Sequence, residues 1–148
     1  MKVISGDLLK NVDSGIIMHQ VNCQNAFGAG FAKAVLKQYP KVKESYHEIF
    51  KKYSKEELFG RIQQVIINDD LEFWNSFTQF KYGNSKFTRV KYTDEQKLIH
   101  NLLKLDEYAN KKEVQAYIPY AVGCGLAGGD WNTISEAIKD TNIIVYKL

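Results

Sequence analysis

Hydrophobic and polar residues follow two rhythms along this chain. Short runs rich in β-branched and apolar residues predict strands at Lys2 to Ser5, Gly15 to Val21 (GIIMHQV), Arg61 to Ile67, Glu72 to Thr78, Val114 to Pro119 and Asn142 to Lys147. The first two read as buried. Elsewhere the spacing turns helical. Phe31, Ala34 and Val35, with Gln38 to Tyr39, predict a helix opening near Ala29. Pro40 breaks it and suits the first turn of another, whose stripe is Val42, Tyr46, Ile49, Phe50 and Tyr53. Asn68-Asp69-Asp70 supplies the turn of a hairpin between the third and fourth strands. Gln79 to Tyr92 has no period and reads as a long loop, of the kind that is usually functional or mobile. Thr93 with Gln96 resembles a capping box before a helix that buries Leu98, Ile99, Leu102, Leu105 and Tyr108. Asp130 caps a last helix running to about Lys139, with Trp131 in the core.

Strands alternating with helices call for an α/β fold, a mixed and mostly parallel sheet with helices on both faces, built as one domain over residues 1–148. Such sheets bind ligands at the carboxyl ends of their strands, where loops precede helix N-termini. Composition narrows the classes further. No apolar run nears the roughly 20 residues of a membrane-spanning helix, and the N-terminal MKVISGDLL breaks before a signal-peptide core forms, so the expected location is the cytoplasm. The net charge of +3 comes from dispersed lysines, which gives no basic patch for nucleic acid. Cys23 and Cys124 are too few for a disulfide framework or a structural zinc site, so both read as reduced thiols, and no metal or cofactor is expected.

Two glycine-rich loops carry the candidate chemistry. Gly28-Ala29-Gly30 follows a strand and opens a helix, and Gly123 to Gly129 (GCGLAGG) does the same before Asp130. Glycines let backbone approach a ligand, and a helix start offers unpaired N–H groups and the positive end of its dipole to phosphate. A tight turn with close packing explains either loop alone equally well. Two such loops on one sheet favour a diphosphate. GAGFAK lacks the G-x-x-x-x-G-K-[ST] spacing of a P-loop, and Lys33 stands where a dinucleotide fingerprint needs a small residue.

SGDLL, HQVNCQNAFGAGFAKAV, QYPKVKESY, GCGLAGGDW and the terminal IIVYKL, in this order along nearly the whole chain, resemble the macrodomain family. The branch is that of terminal ADP-ribose protein glycohydrolases and small ADP-ribose 1''-phosphate phosphatases. The resemblance implies a three-layer α/β/α fold with ADP-ribose over the sheet. It places Asp7 at the adenine amino group with Leu8 beside it, Asn22 at the distal ribose, Gly28, Ala29 and Gly30 in the first diphosphate loop, and Gly123, Cys124, Gly125, Leu126, Ala127 and Gly128 in the second. It makes His19 the candidate catalytic residue of an ADP-ribose 1''-phosphate phosphatase, taking a proton from water or giving one to a leaving oxygen.

Each assignment has a plainer rival. Asp7 can be a helix cap, His19 a satisfied core histidine, and the whole cleft a non-catalytic reader of ADP-ribose or ADP-ribosylated protein. Ala127 departs from the family pattern, because deglycosylating members carry an aspartate there and attack the distal ribose with a lysine. Lys81, Lys86 and Lys91 all lie in the unpatterned loop. Removal of ADP-ribose from protein therefore requires a different base.

Overall fold

A computed structural model describes all residues from Met1 to Leu148. Its six strands are β1 (Lys2–Ser5), β2 (Gly15–Asn22), β3 (Ile62–Ile66), β4 (Leu71–Gln79), β5 (Ala116–Pro119) and β6 (Ile144–Lys147). They form one sheet in the order β1-β6-β5-β2-β4-β3, parallel except where β3 pairs antiparallel with β4. Seven helices connect them: α1 (Leu8–Asn11), α2 (Phe31–Gln38), α3 (Pro40–Ile49), α4 (Lys55–Leu58), α5 (Ser85–Thr88), α6 (Glu95–Lys112) and α7 (Trp131–Ile138).

The period of two along β2 divides its side chains between two cores. Ile16 and Met18 join Leu98, Leu102 and Leu105 of α6 and Ile134 and Ile138 of α7. Ile17 faces the opposite way and packs with Val35 of α2, Val42 of α3 and Phe73 of β4. Helices thus cover both faces, and β2 and β4 are buried almost throughout. The connection leaving β2 goes to one face, whereas the connection leaving its neighbour β5 leads to α7 on the other. A crevice therefore opens at the carboxyl ends of β2 and β5, as it does wherever adjacent parallel strands send their chains to opposite sides.

Three readings of the sequence change. β1 is an edge strand paired only with β6 and mostly exposed, because an edge position gives its residues cover on one side at most. The cap of α6 is Asp94, whose carboxylate accepts from the Lys97 N–H at 3.0 Å, and Thr93 is released for another contact. Trp131 is only partly buried; it packs on the rim of the core with its ring tilted against Tyr120 at 5.1 Å between centroids. Asp130 caps α7 by accepting from the Asn132 N–H at 2.9 Å. No helix is long and apolar enough to cross a membrane.

Candidate active site

The crevice is a cleft of about 780 Å³, within the range of roughly 300–1,000 Å³ usual for small-molecule sites. His19, Asn22, Gly28, Ala29, Gly30, Gly123, Gly125, Leu126 and Ala127 line it, joined by Tyr82, Gly83 and Asn84 from the unpatterned loop. Asp7, Leu8, Cys124 and Gly128 do not. None of the lining residues is Asp, Glu, Lys or Arg.

What the walls offer instead is main chain. The N–H groups from Gly28 through Ala32 have no hydrogen-bond partner in the protein; the next amide, Lys33, bonds to the Gly30 carbonyl as α2 begins. Gly30 has φ +58° and ψ −136°, a conformation closed to other residues at low cost. A Cβ there would meet nothing within 4 Å, so its open side is not filled by the protein. Across the cleft the N–H groups of Gly125, Leu126 and Ala127 are likewise unpaired. Close approach shapes this second loop: a Cβ on Gly129 would lie 2.6 Å from the Gly123 carbonyl oxygen, which accepts the Gly129 N–H at 2.9 Å.

Buried polar side chains hold both loops. Tyr46 of α3 donates its hydroxyl to the Asn22 backbone and side-chain oxygens, 2.8 Å each, and accepts from the Ala26 N–H at 3.2 Å. Burial pushes its pKa above the usual tyrosine range, so it remains a donor. The Asn22 amide is spent on the same task, with Nδ2 donating to the Ala26 carbonyl and Oδ1 accepting from the Gln24 N–H. Asn22 thus shapes the first loop from within. The second loop is tied by a chain that starts at Asn101 of α6 and passes Ser76, Thr78 and Gln20 to Thr93, whose hydroxyl donates to the Gly123 carbonyl. These anchors carry no sequence signature, because they are single polar residues on otherwise apolar elements.

His19 sits on β2 below the first loop, 1% exposed. The rings of Phe27 and Phe31 stand edge-on to it at 5.8 Å, and Phe73 at 6.3 Å. Its Nε2 is 2.6 Å from Asn75 Oδ1, while Nδ1 is buried with no partner. Burial outweighs the Asn75 hydrogen bond and brings its pKa down to about 4, so the ring is neutral at physiological pH. A neutral imidazole has one proton-accepting nitrogen and no imidazolium proton to give. The acid half of its expected chemistry therefore drops out near neutrality.

The remaining candidates take other roles. Asp7 caps α1 through Oδ1, which accepts from the Leu9 and Lys10 N–H groups at 3.1 and 3.4 Å; its Oδ2 has no partner. Leu8 has a buried side chain, and its N–H, at the first helical position, has no intrahelical acceptor. Both follow β1, at the same end of the sheet as the cleft but beyond its wall. The Cys124 thiol donates to the Val122 carbonyl, and burial first, then Glu95 and Asp130, push its pKa up to about 12, which suppresses a nucleophilic thiolate. Lys91 pairs with Glu95 at 2.7 Å, and no lysine lines the cleft. No cluster of His, Cys, Asp and Glu is placed to hold a metal.

No protein-family model matches the chain. In fold it is a macrodomain: a macrodomain protein from Streptomyces coelicolor superposes with a TM-score of 0.76 at 21% identity, over 98% of this chain and 97% of that one. Thermosipho africanus DarTG, solved in complex with ADP-ribose, superposes with a TM-score of 0.73 at 20% identity, over 99% of this chain and 42% of that one. In sequence the chain is similar to an ADP-ribose 1''-phosphate phosphatase of Saccharomyces cerevisiae (strain YJM789), 24% identical over 98% of this chain and 97% of the relative.

Proposed function

We propose that the protein binds ADP-ribose in this cleft and hydrolyses ADP-ribose 1''-phosphate to ADP-ribose and inorganic phosphate. The observation that carries the binding half is the pair of unpaired amide runs, Gly28 to Ala32 and Gly125 to Ala127, on two walls of one cleft. Oriented N–H groups suit phosphate oxygens, and one run lies at the start of α2, where the helix dipole adds to them. In the reaction, water oxygen attacks phosphorus and the bond from phosphorus to the 1'' oxygen breaks. His19 Nδ1 accepts the hydrogen bond, or the proton, of that water, and the 1'' oxygen is protonated from solvent. The phosphatase name of the yeast relative and the ADP-ribose in the DarTG structure support this reading.

A second reading has its own observation. The cleft lacks any carboxylate, and Ala127 stands where deglycosylating macrodomains carry aspartate, so a reader of ADP-ribose or of ADP-ribosylated protein needs no change to these walls. Phosphate release from ADP-ribose 1''-phosphate decides between them; tight ADP-ribose binding without release establishes the reader. Binding itself is tested by melting, since a ligand selective for the native state stabilises it by mass action. ADP-ribose should raise the melting temperature clearly and AMP much less, whereas equal shifts would contradict a diphosphate held by both loops.

Asp7 Oδ2, with no partner, is proposed to accept from the adenine amino group, and the Leu8 N–H lies beside it. Asp7→Asn separates this role from capping, because asparagine caps about as well as aspartate but turns one acceptor into a donor. The melting temperature of the free protein should hold while ADP-ribose affinity falls by about 1–3 kcal/mol. Unchanged affinity in that variant leaves Asp7 as a cap alone.

A further inference from the structure

The unpartnered nitrogen of His19 is the product of an arrangement that crosses the sheet. In the strand register Asn75 of β4 lies beside His19 of β2 on one side and beside Gln63 of β3 on the other, so the three side chains form a row perpendicular to the strands. Asn75 Oδ1 is 2.6 Å from His19 Nε2, Asn75 Nδ2 donates to Gln63 Oε1 at 3.0 Å, and Gln63 Nε2 donates to the Ser45 carbonyl in α3 at 2.7 Å. The far end fixes every direction in the row. A backbone carbonyl can only accept, so the Gln63 amide must turn its NH₂ toward Ser45 and its oxygen toward Asn75. Asn75 must then present NH₂ to Gln63 and oxygen to His19, and that oxygen requires a proton on Nε2. The neutral ring carries one proton, so Nδ1 is left with its lone pair. It is the one nitrogen of this side chain without a partner; it is buried in a residue that borders the cleft, so a donor from the cleft reaches it only when the packing of Phe27 and Phe31 over the ring shifts.

We propose that Asn75, held in direction by Gln63, is a positioning residue that locks His19 in the Nε2–H tautomer and reserves the Nδ1 lone pair for a donor group in the cleft. The donor is a water or a hydroxyl of the bound ligand, never an anion oxygen, which would face a lone pair. A histidine serving only the core would gain from a partner at both nitrogens, and an orphaned buried acceptor calls for an explanation. Phe27, Phe31, Phe73 and Asn75, the groups packed against the ring, bear no charge, so no neighbouring ion competes with the asparagine in setting the tautomer. The catalytic part of this inference rests on the hydrolysis proposed above; the tautomer does not.

The test therefore reads the tautomer and the turnover separately. Nitrogen-15 NMR of histidine-labelled protein near pH 7 should show His19 protonated at Nε2 and pyridine-like at Nδ1; the opposite pattern overturns the proposal whether or not the protein is a hydrolase. Asn75→Leu should lose that fixed pattern and lower turnover by about 10–100-fold, by analogy with the loss of partners that orient metal-bound histidines. Asn75→Asp should keep the proton on Nε2, since a carboxylate can only accept, even though its other oxygen meets the Gln63 oxygen where the asparagine donated, and should shift the acid limb of the pH profile upward as the imidazolium gains a counter-charge. Should Asn75→Leu fail to fold, Gln63→Leu, at a half-buried position in β3, frees the asparagine to turn around and should mix the tautomers. Wild-type tautomer and turnover in a folded Asn75→Leu or Gln63→Leu variant would overturn the lock. A wild-type protein with the Nε2–H pattern and no phosphate release would instead refute hydrolysis and leave the lock standing.

Discussion

His19→Ala is expected to lower turnover of ADP-ribose 1''-phosphate by about 10²–10⁴-fold, the span one general base usually supplies. ADP-ribose binding should change far less, because the unpaired amides proposed to hold the diphosphate belong to other residues. The ring is fully buried among three phenylalanines, so its removal also leaves a cavity and costs stability, on the order of 2–4 kcal/mol by analogy with other large core truncations. Turnover must accordingly be normalised to folded protein at a temperature below the variant's melting point. A folded variant that hydrolyses at the wild-type rate removes His19 from the chemistry and leaves the reader as the surviving function.

The pH profile gives an independent check on the same residue. With its pKa held at about 4 by burial, His19 keeps its acceptor nitrogen free down to that pH, so wild-type turnover should show its acid limb near 4 and none near 6.5. Stability moves in the same direction. Between pH 6.5 and 4 the unfolded chain binds a proton that the folded chain refuses, so folding weakens as the solution is acidified through that window. By pH 4 the loss is roughly 3 kcal/mol, and it should vanish in His19→Ala.

Gly30→Val should reduce ADP-ribose affinity by about 10–100-fold, the second large effect. Valine at φ +58° and ψ −136° either accepts strain of about 1–3 kcal/mol or rotates the loop away, and either course misaligns the N–H groups from Gly28 to Ala32. Its side chain would also stand on the side of the loop where the protein puts nothing. The fold has little at stake there, so the free protein should melt within a few degrees of wild type. Isothermal titration with ADP-ribose measures the effect. Wild-type affinity in Gly30→Val would show that the first loop is a turn and nothing more.

The helices and strands that bury a stripe were legible in the sequence: α6, α7 and the β3–β4 hairpin fall where the spacing places them, while α2 opens at Phe31 instead of near Ala29 and α3 ends at Ile49, short of Phe50 and Tyr53. The single-turn helices α1, α4 and α5 were not, since four residues are too few to show a period. Ser54 and Glu57 do form a capping box at α4, yet the box alone sets no helix length. At α6 two adjacent residues competed for the cap: Thr93 fits the pattern, but its hydroxyl is drawn to the Gly123 carbonyl, and Asp94 takes the end of the helix. The glycine loops were visible because their residues are unusual in type. Asn75 and Gln63 were invisible for the opposite reason: what matters about them is which residue lies beside which, and register across three strands is not written in any one of them.

The cleft without a charged side chain has an evolutionary consequence. Recognition written in peptide groups is inherited with the backbone, so most residues of the wall can change without weakening the proposed hold on a diphosphate, provided the loops keep their path. A catalytic side chain has no such protection, since one substitution removes it. A cleft of this kind ties what it can hold to the path of its backbone, and what it can do to that molecule to single side chains.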